Sequence, residues 1–233
     1  GMSSGMAAYG GGIRFEYSNS MIDIMDCMFQ HNTGMEHSAL SLGKQNTQVK
    51  ITNCNFVNNS ALITGSGGAI GATESNAFVE INDCQFIKNM APLNGGAIVL
   101  SKSNTYFSLE RSLFEANEAA YNGGAIFMDD SNYNIDVSHC NFTRNIATYD
   151  GGAVYVAYHS IQIYFNFSVF LFNNAINGAG ICINSQNIEV FVQNSVFYKN
   201  VVRDNGGAVF IKDGNIEVYL FNNMIEFNSA LYG

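Results

Sequence analysis

The sequence predicts an all-β fold, a right-handed parallel β-helix (solenoid) of about eight turns of ~28 residues, and three observations carry that expectation. One motif recurs at nearly constant spacing, apolar residues alternate with polar ones in short runs, and turn residues separate the runs. A single Pro, no Trp and 23 Gly in 233 residues, with 47% hydrophobic but only 12% charged content, fit one long buried core under an uncharged polar surface. The chain is therefore read as one repeat segment, residues 1–233, cut from a longer array.

The repeat is clearest in its phenylalanines. Phe29, Phe56, Phe86, Phe114, Phe142, Phe170 and Phe197, ending in Ile225, are separated by 27, 30, 28, 28, 28, 27 and 28 residues. Runs such as Val79-Glu80-Ile81 and Ile135-Asp136-Val137 have the period of two that marks strands. Two or three such strands per unit, with no helical stretch, make a coil in which equivalent residues stack about 4.8 Å apart. The right-handed preference of parallel crossovers sets the expected hand.

Aligned units give columns. The Phe column stacks inside, each ring contributing roughly 1.5–3 kcal/mol of apolar burial. Three residues later come Asn32, Asn59, Asn89, Asn117, Asn145, Asn173, Asn200 and Asn228, expected to adopt left-handed backbone at a turn and to bond amide to amide between turns. Gly-Gly-Ala-Ile makes a tight corner, then a strand with Ile70, Ile98, Ile126, Val154, Ile181 and Val209 inward. Two outward columns, Lys44, Glu74, Lys102, Asp130 and Asp23, Lys50, Glu80, alternate in sign, as stacked charges must if neighbours are to attract.

Paired Gly-Gly-Ala-Ile and Phe-x-x-Asn motifs give the chain its resemblance to the polymorphic outer membrane protein repeats of chlamydial surface adhesins. Gly-Gly-Ala-Ile or Gly-Gly-Ala-Val stands at Gly67, Gly95, Gly123, Gly151 and Gly206, and the departures are His37-Ser38-Ala39-Leu40 and Gly178-Ala179-Gly180-Ile181. The resemblance covers nearly the whole chain. It implies an extracellular or cell-surface protein, in the chlamydial case an exported passenger carried by a membrane barrel.

Ten basic against 19 acidic residues, net −9, repel phosphate backbones and anionic lipids, so nucleic acid is not an expected partner. No run approaches the ~20 apolar residues of a membrane-spanning helix. Parallel β-helices also carry polysaccharide lyases and glycosidases, which need carboxylates converging on one face. Here Glu80 and Asp136 share a column but are separated by Ser108, and Asp129 and Asp130 diverge on a strand. Gly1-Met2-Ser3-Ser4-Gly5 matches a nucleophile elbow by letters only. No catalytic residue, metal or cofactor is expected, and the histidines, His31, His37, His139 and His159, are too dispersed for a metal site.

Cys27, Cys54, Cys84 and Cys140 share an inward column with Ser112, Ser168 and Ser195; small buried thiols are the plain reading, with a disulfide between neighbouring turns left open. Cys182 falls in an outward column and is expected to be a free or intermolecular thiol. Asn58, Asn141 and Asn166 head glycosylation sequons that are acceptors only in a eukaryotic source.

Two outward columns turn aromatic towards the C-terminus: Phe127, Tyr155 and Phe210 beside Cys182, and Tyr164, Phe191 and Tyr219 beyond Asp136. They are the candidate binding residues, for lateral contact with other protein chains or surface glycans. Head-to-tail association is expected too, since the sequence runs from Ala8-Tyr9-Gly10-Gly11-Gly12-Ile13 to Leu231-Tyr232-Gly233 inside repeats. The expected function is a non-catalytic structural or adhesive surface repeat protein, with a filament or surface-layer component included. The alternative is a carbohydrate-active β-helix enzyme or polysaccharide-binding module.

Overall fold

In a computed structural model, residues 11–231 are described. The Gly1–Gly5 pattern and the Ala8–Gly10 and Tyr232–Gly233 ends of the terminal repeats lie outside them. Each turn of the coil holds four strands, as in β1 (Ile13–Tyr17), β2 (Ser20–Met25), β3 (Met28–Gln30) and β4 (Thr33–Gly34) of the first turn. Every strand pairs only with its equivalents in the turns above and below, so the chain forms four eight-stranded parallel sheets, the expected β-helix. The expectation of two or three strands per turn was too low. The β4 equivalents are two-residue strands such as Met90–Ala91, too short to leave an alternation pattern.

The register is the one the columns require. Phe29, Phe56, Phe86, Phe114, Phe142, Phe170 and Phe197 pair in sequence, and their rings stack with centroids 4.7–4.9 Å apart. From Phe56 to Phe197 all are fully buried. Outside, Lys44 Nζ lies 2.7 Å from Glu74, and Lys50 Nζ 3.7 Å from Glu80.

The asparagine column is an internal ladder. Nδ2 of each residue donates to Oδ1 of the next at 2.8–3.1 Å, from Asn32 up to Asn228. From Asn59 on, each Oδ1 also accepts the backbone N–H of the turn before, and each Nδ2 also donates to a Phe carbonyl, as Asn89 does to Phe56. The buried amides, Asn59 to Asn200, are thus satisfied where an unpaired one would be costly. The left-handed backbone falls one residue earlier than expected, on His31, Asn58, Lys88, Ala116, Arg144, Phe172, Lys199 and Phe227, with φ 52–55°. The physical reason is direction: the left-handed residue turns the corner with its side chain outward, so that the asparagine points in.

The same device recurs at two more corners. Asn19, Asn46, Asn76, Asn104 and Asn132 form a second amide ladder, interrupted by Ser160 and resumed by Asn187 and Asn215. The cysteine column is the third: Cys54 Sγ, Cys84 Sγ and Ser112 Oγ accept the backbone N–H groups of Cys27, Cys54 and Cys84 at 3.5, 3.4 and 3.1 Å. Thiol and hydroxyl fill one acceptor position, which is why Cys and Ser interchange there. All five cysteines are free thiols.

Candidate functional site

The two aromatic columns separate in the structure. Phe127, Tyr155, Cys182 and Phe210 pair in consecutive turns of the first sheet and point away from the main core, as expected. They are not exposed. Phe127 is 8% accessible, Tyr155 5% and Cys182 0%, and with Val99 and Ala157 they form a second apolar strip against which Phe210 packs half-buried.

The cover is the Gly-Gly corner itself. Gly95, Gly123, Gly151, Gly178 and Gly206 are left-handed, with φ 55–68°, and fold the approach to each strand back over its outer face. A Cβ on Gly151 would stand 2.8 Å from Tyr155 Cβ, and one on Gly206 2.9 Å from Phe210 Cβ. This corrects the expectation of an open binding row at Phe127, Tyr155 and Phe210, and that of an intermolecular thiol at Cys182. Burial pushes the Cys182 thiol well up from its ordinary value.

Tyr164, Phe191 and Tyr219 lie on the second sheet, continuing the column of Asp23, Lys50, Glu80, Ser108 and Asp136. Nothing folds over them. Tyr164 and Phe191 are half-buried by their neighbours, and Tyr219 is exposed. The rings stack nearly parallel, Tyr164 to Phe191 at 5.1 Å and Phe191 to Tyr219 at 5.0 Å.

Some neighbours on the adjoining columns are apolar as well. Across the corner, exposed Phe167 stands where the earlier turns have Asp26, Asn53, Asp83, Arg111 and His139. On the third sheet, Val169 and Val196 pair where earlier turns have Asn55 and Gln85, and Leu171 pairs with Tyr198. Lys199 Nζ sits 4.9 Å over the Tyr198 ring. The sixth turn thus adds Phe167, Val169 and Leu171 to the row and the seventh Val196 and Tyr198, while the corner returns to amides at Asn194 and Asn222. It is the second-sheet column itself that changes from charged or polar residues, Asp23 to Asp136, to aromatic ones. The third-sheet residues flank each Phe of the Phe-x-x-Asn motif, but their columns also hold Met28, Val57, Ile87 and Leu113 in earlier turns, so no gradient marks them in the sequence.

Ring orientation decides what that face can touch. A sugar stacks on the flat face of an aromatic ring, and here the faces within the row are covered by the neighbouring rings, leaving edges and tyrosine hydroxyls outward. Edge and hydroxyl contacts suit a protein surface.

Elsewhere the chemistry is local. Arg111 Nε bonds Asp83 at 2.9 Å, and His159 Nδ1 bonds Asp130 at 2.7 Å. Burial, then the charge of Glu110, raises the Asp136 carboxyl above its ordinary value. Among the described residues no group of three His, Cys, Asp or Glu side chains is placed to hold a metal ion. Asn58 and Asn141 are exposed at their sequons, Thr143 Oγ1 donating to Asn141 Oδ1 at 2.8 Å; Asn166 is half-buried and its Oδ1 is enclosed.

The stretch from the fifth turn into the sixth holds the whole device: Cys140 in its ladder, Phe142 in the ring stack, Asn145 in the amide ladder, and the covered strand after Gly151. The repeat of the Chlamydia polymorphic membrane protein matches there, over residues 139–157. Residues 139–157 carry the polymorphic membrane protein repeat. Its Phe-x-x-Asn half is the stacked ring and ladder amide, and its Gly-Gly-Ala-Val half is the corner that roofs Tyr155. No curated protein and no solved structure matches the chain.

Proposed function

We propose that the chain is a non-catalytic segment of a cell-surface adhesive repeat protein, a rod whose last three turns bind another protein chain side-on. The repeat supports the surface location, because polymorphic membrane proteins are surface-associated at the outer membrane. The observation that carries the adhesive reading is the uncovered row Tyr164–Phe191–Tyr219 and its continuation through Phe167 onto Val169, Val196, Leu171 and Tyr198. Stacking between turns accounts for rings in a column; what favours a contact here is that this row is uncovered, whereas the column of Phe127 and Tyr155 is roofed. Contiguous exposed apolar surface is the mark of an interface.

The test replaces Tyr164, Phe191 and Tyr219 together with Ser and compares self-assembly by sedimentation and adherence of labelled protein to cell layers. The circular dichroism of the rod should persist while assembly or adherence falls. A triple variant that assembles and adheres unchanged would remove the reading.

A second reading rests on Asp136, whose carboxyl is held up beside Glu110, a pairing that can divide into acid and base. It makes the segment a carbohydrate-active β-helix. Turnover in a hydrolase and lyase screen, lost on changing Asp136 or Glu80, would establish it in place of the first.

A further inference from the structure

The second turn departs from the Gly-Gly corner, and its departure is built into the fold. His37 stands where Gly67, Gly95 and Gly123 stand in later turns, and it is buried. Its ring occupies the place above Gly71, the residue that corresponds to Val99, Phe127 and Tyr155 in the roofed strip: a Cβ on Gly71 would lie 2.1 Å from the ring. The imidazole therefore fills, from the corner, a hollow that later turns fill from the strand.

It also replaces the corner's tie to the next turn. Later corners are joined backbone to backbone, Gly67 N to Asn94 O, Gly95 N to Asn122 O and Gly123 N to Asp150 O, each at 3.0 Å. Here the close contact is His37 Nδ1 to Ser66 O at 2.7 Å, and the backbone bond beside it, Ser38 N to Gly67 O, is stretched to 3.4 Å. With Nδ1 donating to a carbonyl, the neutral ring carries its lone pair on Nε2. That atom is buried and has no hydrogen-bond partner among the described residues, as have Ser38 Oγ and Ser41 Oγ.

We propose that His37 is an acid-sensitive latch: the neutral imidazole seals the corner of the second turn onto the third, and protonation at Nε2 expels the ring and opens that corner while the ladders of the barrel stay closed. A proton on Nε2 places a donor and a positive charge where nothing accepts either, and the least costly escape is rotation of the ring to water. The charged groups acting on the ring are Glu36 beside it, which favours the proton, and Arg14 on β1, which opposes it. Segment 62–68, which supplies Ser66, has no ionisable side chain. The flanking strands Leu40–Lys44 and Ile70–Glu74 carry one charge each, Lys44 and Glu74, and these pair with one another at 2.7 Å.

Burial is the largest influence and sets His37 below its ordinary value of 6.5. The open or unfolded chain thus binds the proton more readily than the closed one. Closure is at full strength above about 6.5 and weakens as the pH falls from there through the lowered value.

The test is backbone hydrogen exchange of the full chain, corrected for intrinsic rates, between about pH 7 and about pH 5. Peptides over 35–41 and 64–72 should lose protection, by up to about tenfold per pH unit, while peptides carrying the Phe ladder hold theirs. His37→Leu, which fills the hollow and cannot titrate, should abolish the pH dependence. Should that variant misfold, imidazole proton NMR of the unaltered chain serves: His37 should titrate below the ordinary imidazole value of 6.5, in step with the loss of protection. Protection independent of pH, a Leu variant that opens at the same pH, or His37 titrating at or above 6.5 would each overturn the latch.

Discussion

Lys212 Nζ lies 2.7 Å from Asp150 Oδ2, two turns of the coil away, while Asn177 in the intervening turn donates to Asp150 Oδ1 at 2.7 Å. The pair closes the outer edge of the strip roofed over Tyr155, Cys182 and Phe210, with Lys212 Nζ 5.9 Å from the Phe210 ring. Asp150 interrupts a corner column of amides, Asn94, Asn122, Asn177 and Asn205, in which Oδ1 of one residue accepts the backbone N–H of the next.

Asp150→Ala should therefore cost about 1.5–3 kcal/mol, because it removes two hydrogen bonds and strands a half-buried ammonium. Asp150→Asn restores the column's own residue and loses only the charge, so it should cost less, and combined with Lys212→Met it should cost less than the sum of the two single changes, because both remove the same ion pair. Urea titration followed by circular dichroism measures both. Equal losses for Ala and Asn would show that the charge, not the bonded geometry, holds the strip shut.

The amide ladder should be much less forgiving in its middle. Asn145 Oδ1 accepts from Asn117, and its Nδ2 donates to Phe114 O and Asn173 Oδ1, all buried. Asn145→Ala leaves several buried groups unpaired and should cost about 3–5 kcal/mol. Asn32→Ala should cost about 1 kcal/mol, since this half-exposed side chain gives up one amide bond, to Asn59 Oδ1. Denaturant midpoints check the ratio; similar losses at both sites would mean that the ladder is not what holds adjacent turns.

These ladders mark what can be read in the sequence. Phe, Asn and Gly-Gly-Ala-Ile recur with their identity intact, so their columns and register follow from spacing alone. The second ladder is equally regular from Asn19 to Asn132, but the chain is so rich in asparagine that it does not stand out, and Ser160 breaks it. The roof over Phe127 and Tyr155 could not be read from alternation, which says only that a side chain leaves the main core. Whether it meets water depends on the path of the preceding corner, set by the left-handed φ of Gly95, Gly123 and Gly151. Tyr164, Phe191 and Tyr219 are outward by the same alternation and stay uncovered, because the corner before their strands is a short left-handed turn with no glycine pair to fold back.

Thiol chemistry should follow burial. Cys27 is half-buried at the foot of its column, whereas Cys54, Cys84, Cys140 and Cys182 are buried. Burial raises the Cys54 thiol and pushes Cys84 and Cys140 up to about 12. A maleimide at neutral pH should modify Cys27 first and the other four only on unfolding, and mild oxidant should produce no dimer through Cys182. Mass spectrometry of the labelled chain decides it; native labelling of Cys182 at a rate close to that of Cys27 would mean that the roof opens freely.

The pairing of His37 with Gly71 predicts a rescue that no other glycine among the described residues should show. Gly71→Ala drives a methyl into the imidazole, and overpacking of this kind costs about 1–3 kcal/mol. The obstacle is a side chain, so His37→Ala in the same chain should recover most of that loss, giving a favourable coupling between the two substitutions. Gly43 is the control: a Cβ there would lie 2.0 Å from the backbone oxygen of Glu16, which no side-chain truncation can move. Gly43→Ala should destabilise the first turns with or without His37. Thermal unfolding of the two double-mutant cycles measures the coupling, and a Gly71→Ala loss unchanged by His37→Ala would show that the corner backbone, not the ring, occupies the hollow.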